Sequence, residues 1–196
     1  MTALMMGMVL IMTMLIRVPV PATKGYIHLG DCMIFFAVLL LGWKWGAAAA
    51  GIGSALADLA GGYAYYAPIT LAVKSVMAIV VGLFIQAALK KNFGRCKTLL
   101  MEVIGMVLGG AFMVAGYYIA EVIMYGNWLI PLVAIPMNIL QFAVGAVIAT
   151  ALATALYRTP VNKNFEYHLP AAVKKQSEHS VRSTWYFKCI QRFQRS

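Results

Sequence analysis

A chain of 196 residues that is 62% apolar and only 11% charged has too few polar groups to cover its apolar surface in water; a soluble domain carries about 25% charged residues. With a mean hydropathy of +0.81, the composition excludes an ordinary soluble fold and points to an integral membrane protein. The net charge of +10 does not mark a nucleic-acid binder, because the basic residues gather in Lys90–Lys97 and after Tyr157, each beside an apolar segment, which is the placement that orients membrane helices.

Six apolar spans follow in chain order, roughly at 1–17, 29–43, 45–62, 68–90, 98–121 and 131–157. The first, TALMMGMVLIMTMLI, has no Lys or Arg before it and no small-residue cleavage site after it, so a cleaved signal peptide is not expected. As a helix it rises only about 22 Å, against a hydrocarbon core of about 30 Å. Ala3 and Gly7 make a small patch on it, suited to close approach by a helix of this chain or of a partner.

The first connection, RVPVPATKGYIHLGD, is expected to run extended at Pro19 and Pro21 and to turn at Gly25. The second and third spans are broken only by Gly42-Trp43-Lys44-Trp45-Gly46, which reads as a tight turn at a membrane interface. Small residues recur in the third span at Gly46, Ala50, Gly53, Ala57 and Gly61, a face for packing inside the bundle. The next connection, GGYAYYAP, has two glycines for freedom and three tyrosines for flat faces with hydroxyl handles.

Orientation follows from the loops. With the N-terminus inside, thirteen of the 16 basic residues are internal: Lys44, the Lys90–Lys97 group and those of the tail. Both termini are therefore expected in the cytoplasm. The expected class is all-α, an integral membrane bundle of six transmembrane helices at 1–157 with a basic cytoplasmic tail at 158–196. The tail suits contact with anionic lipid and carries no catalytic pattern. The three cysteines, an odd number without a CxxC, suggest neither a disulfide framework nor a zinc site.

Ionisable groups inside spans are expensive and are functional candidates by default. Most fall toward the outer face: Asp31, Asp58, Lys74 and Glu121, with Asn138 and Gln141 on one face of the last span. Each has a plainer reading. Asp31 suits a helix N-terminus, Asp58 and Lys74 suit a structural ion pair, Glu121 suits the water interface, and Asn138 and Gln141 suit helix–helix bonding. Glu102, near the inner end, suits pairing with the basic loop. Tyr63 and Tyr66 fit either an interfacial belt or a stacking wall, and His28 either a loop residue or a ligand contact. Together these groups would hold a small, planar, polar molecule in a mostly apolar pocket. No P-loop, HExxH or GxSxG is present, so no enzyme is expected and any ATPase would be another chain. A stand-alone facilitator or channel is the alternative, but the inner half is apolar apart from Glu102.

Ile16 to Phe84 resembles the substrate-binding S component of energy-coupling factor (ECF) transporters, nearest to the group linked to hydroxymethylpyrimidine or pyridoxine-type vitamins. PVPATKGYIHLGD, GSALADLAGGYAYYAP and TLAVKS carry the likeness; from 98 to 157 it rests on topology and on Asn138 and Gln141. The resemblance implies a six-helix subunit of the bacterial plasma membrane that captures a vitamin near the outer face, beneath the loops after the first and third helices. It implies docking on a transmembrane coupling protein (the T component) with two cytoplasmic ATPases, through small residues matched here by Ala3 and Gly7. The expected substrate contacts are His28, Asp31, Asp58, Tyr63, Tyr66, Lys74, Glu121, Asn138 and Gln141. No cofactor, metal or nucleic acid is expected.

Overall fold

The computed structural model describes residues 1–15, 17–20, 25–91 and 95–156; the tail after 156 and Lys24 lie outside the described residues. Among the described residues five helices follow in order: α1 Thr2–Leu15, α2 Gly30–Ala60, α3 Ala67–Lys90, α4 Arg95–Tyr125 and α5 Ala134–Leu156. A short 3-10 turn, Ile130–Val133, leads into α5. Between α1 and α2, β1 Arg17–Val20 and β2 Gly25–His28 form an antiparallel pair. The purely helical expectation is corrected there: the connection read as extended is a hairpin, with Pro19 opposite Tyr26 and Arg17 opposite His28. Proline is tolerated in it because a two-stranded ribbon leaves edge positions without a ladder bond to lose.

Helix α2 is not one straight rod. Gly42 has φ 75° and ψ 177°, a conformation open to glycine and strained for other residues. A side chain at Gly46 would stand 2.8 Å from the Val38 Cα. Eight residues along an unbroken helix span about 12 Å, so the chain doubles back at Gly42 and the two arms of α2 pack against each other. The turn foreseen at Gly42–Gly46 is thus present.

Among the described residues, four helices are long and apolar enough to cross a membrane, and α1 is shorter. Helix α2 packs against α1, α3 and α5, and α4 packs against α3 and α5. The core is largely the first arm of α2, Cys32 to Leu40, with Met77, Val81, Ile85, Met106 and Met113 around it. Glycine-sized gaps permit the close crossings: a Cβ at Gly53 would lie 2.7 Å from the Met6 carbonyl, and one at Gly109 2.9 Å from the Met77 carbonyl. Ala50 and Ala57 are buried with them, so the small face of the third span packs the bundle as expected. Large apolar side chains such as Phe112, Ile119, Ile123 and Val147 point outward. Apolar inside and apolar outside is stable only where the solvent is hydrocarbon.

Candidate functional site

The polar residues cluster at the end of the bundle that carries the hairpin and the tyrosine loop. Asp31, in the first turn of α2, and Lys74, on α3, are both fully buried and meet at 2.5 Å, Lys74 Nζ donating to Asp31 Oδ1. Gly145 lets α5 come close enough to join them, since any side chain there would fall 2.9 Å from the Asp31 Cβ. One turn earlier on α5, Gln141 Nε2 donates to Asp31 Oδ2 at 2.9 Å, while its Oε1 accepts the His28 backbone N–H at 2.9 Å. Lys74 Nζ also reaches Met113 Sδ at 2.9 Å and lies 5.6 Å from the Tyr117 ring centroid. The Asp58–Lys74 ion pair considered from sequence is not formed; Lys74 pairs with Asp31.

His28 fastens the hairpin to this group. Its Nδ1 accepts the Gly30 backbone N–H at 2.9 Å. Burial, with the Lys74 ammonium and Arg17 adding repulsion, lowers its pKa to about 3, although Asp31 pulls the other way. The imidazole is therefore neutral at physiological pH, as an Nδ1 acceptor must be.

Four tyrosines stand at the same end: Tyr26 from the hairpin, Tyr63 and Tyr66 from the connection before α3, and Tyr117 on α4. Tyr26 donates to Asp58 Oδ1 at 2.5 Å. Its ring lies 4.7 Å from Tyr63 and 5.6 Å from His28, with the Arg17 guanidinium 4.9 Å over its face. Burial and the Asp58 carboxylate hold the Tyr26 phenol well above its usual range, so it stays a donor. Tyr66, buried at the start of α3, donates to Glu121 Oε1 at 2.9 Å. Tyr117 donates to Thr70 Oγ1 at 3.1 Å. Asp58 Oδ2 and Glu121 Oε2 are buried without a hydrogen-bond partner among the described residues.

Residues 1–158 match the family described as "ECF-type riboflavin transporter, S component". The chain belongs to that family. This S component is 41% identical over 118 residues (60% of its length, 74% of the relative's) to the "Uncharacterized protein in gap 3'region" of Pyrococcus woesei. It is 30% identical over 148 residues (75% of its length, 80% of the relative's) to the "Thiamine precursor transporter HmpT" of Lactococcus lactis subsp. cremoris (strain MG1363). The S component is accordingly a membrane protein.

Of the residues singled out from sequence, His28, Asp31, Lys74 and Gln141 form one bonded group. Asp58 and Tyr63 join through Tyr26, and Tyr66 pairs with Glu121. Asn138 is half-buried and is not part of these bonds. Ala3 is exposed, and nothing lies within 4 Å of the position a Gly7 side chain would take, so the small patch of α1 faces away from the rest of the bundle. Sequence reasoning missed Arg17, Tyr26, Thr70, Met113 and Tyr117. The signal for Tyr26 was its place two residues before His28 in the same connection; a thioether and a hydroxyl inside apolar spans give none.

Proposed function

We propose that this S component captures a small water-soluble vitamin or vitamin precursor, of hydroxymethylpyrimidine or pyridoxine type, near the outer face of the membrane. It then delivers the cargo inward together with a T component and two cytoplasmic ATPases, having no ATPase site of its own. In this reading α1, the two arms of α2, α3, α4 and α5 make six crossings, supported by the reversal at Gly42. The concentration of basic residues in the Lys90–Lys97 connection and the tail supports placing both termini in the cytoplasm. Ala3 and Gly7 are the proposed docking patch for the T component.

The observation that carries the reading is the buried polar group at one end of an apolar bundle, beneath a hairpin and a tyrosine loop. Ionisable groups inside a membrane protein are costly and are functional candidates by default. The name of the Lactococcus relative supports the pyrimidine-type cargo, whereas the family description names riboflavin.

Mass spectrometry of ligand carried through purification, followed by calorimetric titration, tests this. Tight binding of hydroxymethylpyrimidine or pyridoxine is expected. Binding of riboflavin alone would move the cargo, and no vitamin binding, by the chain alone or with its partners, would end the capture reading.

A further inference from the structure

At the opposite end of the bundle the helices do not finish level. A side chain at Gly82 of α3 would stand 2.7 Å from the Trp43 Cα, so the reversal between the two arms of α2 lies beside Gly82. Helix α3 runs on eight residues further, to Lys90, which is about 12 Å of helical rise. Helix α4 extends past the same level. A Cβ at Gly105 would lie 2.9 Å from the Phe84 Cβ and 3.3 Å from the Val81 carbonyl, and α4 begins ten residues earlier, at Arg95, about 15 Å away along the helix. The α2 turn is thus the floor of a step, and its wall is the last two turns of α3, backed by α4.

The floor is Trp43, Lys44 and Trp45. Lys44 is exposed, its ammonium lies 5.4 Å from the Trp43 ring centroid, and it forms no ion pair among the described residues. Trp45 is 63% exposed. On the wall, Gln86 stands one turn beyond Gly82 and Lys90 one turn further, the first half-buried and the second exposed. Among the described residues every exposed side-chain charge at this end is positive: Lys44, Lys90, Lys91 and Lys97. The acid of this half, Glu102, is 4% exposed. Tryptophan gathers where hydrocarbon gives way to headgroups, and an ammonium in hydrocarbon is costly. A flat interface at the level of Lys90 would leave the α2 turn about 12 Å deep. The interface therefore comes down to Lys44, and an anion is favoured there with no acid of the chain to supply it.

Resting on the reading of six crossings with cytoplasmic termini, we infer that this step seats an anionic phospholipid of the cytoplasmic leaflet, its phosphate against Lys44 and its acyl chains along the apolar flank of the bundle. Lys90 on the wall adds a second positive charge, and the Trp45 indole N–H is a donor at headgroup level. A zwitterionic lipid fits less well, because its own cation would face Lys44 and Lys90 in a medium that screens them poorly. The tail after α5 is itself strongly basic, so charge disfavours it as the occupant. The lipid fills the mismatch between the short α2 turn and the longer α3 and α4, a mismatch the bilayer would otherwise meet by thinning.

The test is native mass spectrometry of the purified full chain in detergent, titrated with phosphatidylglycerol, phosphatidylcholine and inorganic phosphate. A one-to-one phosphatidylglycerol complex is expected, with phosphatidylcholine retained more weakly and phosphate not retained. Lys44→Gln is expected to weaken phosphatidylglycerol by about fivefold, the loss of one basic contact at a membrane surface. Lys163→Gln, which removes one charge from the tail, is expected to leave it unchanged. Equal retention of the two lipids by the unaltered chain would overturn the inference, and that comparison needs no variant. So would phosphate held as firmly as lipid, or the same loss in Lys44→Gln and Lys163→Gln, which would mark general attraction to a basic chain. Unchanged lipid retention in Lys44→Gln, together with weaker co-purification of the partner chains, would give the step to a protein partner instead. Vitamin titration of the same samples reads the capture proposal separately, so either can fail while the other stands.

Discussion

Lys74 and Asp31 are 43 positions apart in the chain and 2.5 Å apart in the structure, each with no solvent exposure. The pair joins α3 to the start of α2, and Gln141 extends it to α5 and to the hairpin. Removing one partner of such a pair strands the other charge, which costs far more than the pair contributes. Lys74→Met alone is expected to destabilise by about 3–5 kcal/mol. The double variant Lys74→Met with Asp31→Leu is expected to recover most of that. Thermal unfolding in detergent compares the two. Equal losses in the single and double variants would show that the pair does not act as a unit. Titration of the refolded double variant would also show whether the pair touches the cargo or only frames it.

His28 gives the site a dependence on pH. Its folded pKa of about 3 lies below the unfolded value of about 6.5, so the unfolded chain takes up the proton first. The stability it confers is complete above about pH 6.5 and declines as pH falls from there toward 3, by up to about 1.4 kcal/mol per unit. Unfolding temperatures between about pH 7 and about pH 5 should drop more steeply for the natural chain than for His28→Asn, whose amide oxygen can accept the Gly30 N–H without titrating. Parallel curves would remove His28 as the cause.

Much of this was readable from residues. The Gly42–Gly46 reversal announced itself because two glycines and a lysine interrupt an apolar run, and intramembrane charges stand out by their cost. The partner of Lys74 did not, since Asp31 and Asp58 lie at comparable depth and only the approach of α5 at Gly145 brings Gln141 and Asp31 together. The hairpin was hidden by its prolines, which read equally well as an irregular extended loop. Met113 and Thr70 looked like ordinary span residues, because what matters is which helix they face. That is fixed by packing, not by local pattern.

Tyr26 ties the hairpin to α2 through one short bond to a carboxylate, Asp58 Oδ1 at 2.5 Å. Bonds to charged acceptors contribute about 1.5–3 kcal/mol. Tyr26→Phe keeps the ring contacts with Tyr63 and His28 and removes only the hydroxyl. If the hairpin covers the cargo, release should quicken by about tenfold while association changes little, as measured by stopped-flow fluorescence. An unchanged release rate would show that the hairpin does not retain the ligand.

Two glycines separate folding from assembly. At Gly46 a side chain meets the Val38 backbone at 2.8 Å, and backbone cannot step aside. Gly46→Val is expected to cost at least the 1–3 kcal/mol typical of overpacking, roughly, and to lower the unfolding temperature of the isolated chain. At Gly7 nothing lies within 4 Å, so Gly7→Val should leave the unfolding temperature and the ligand affinity of the isolated chain unaltered. If the Ala3–Gly7 patch is where a T component helix approaches, the same variant should abolish co-purification with the partner chains and ATP-dependent uptake into vesicles. Full uptake by Gly7→Val would place the docking surface elsewhere on the bundle, and the exposed face of α1 would then be a lipid contact alone.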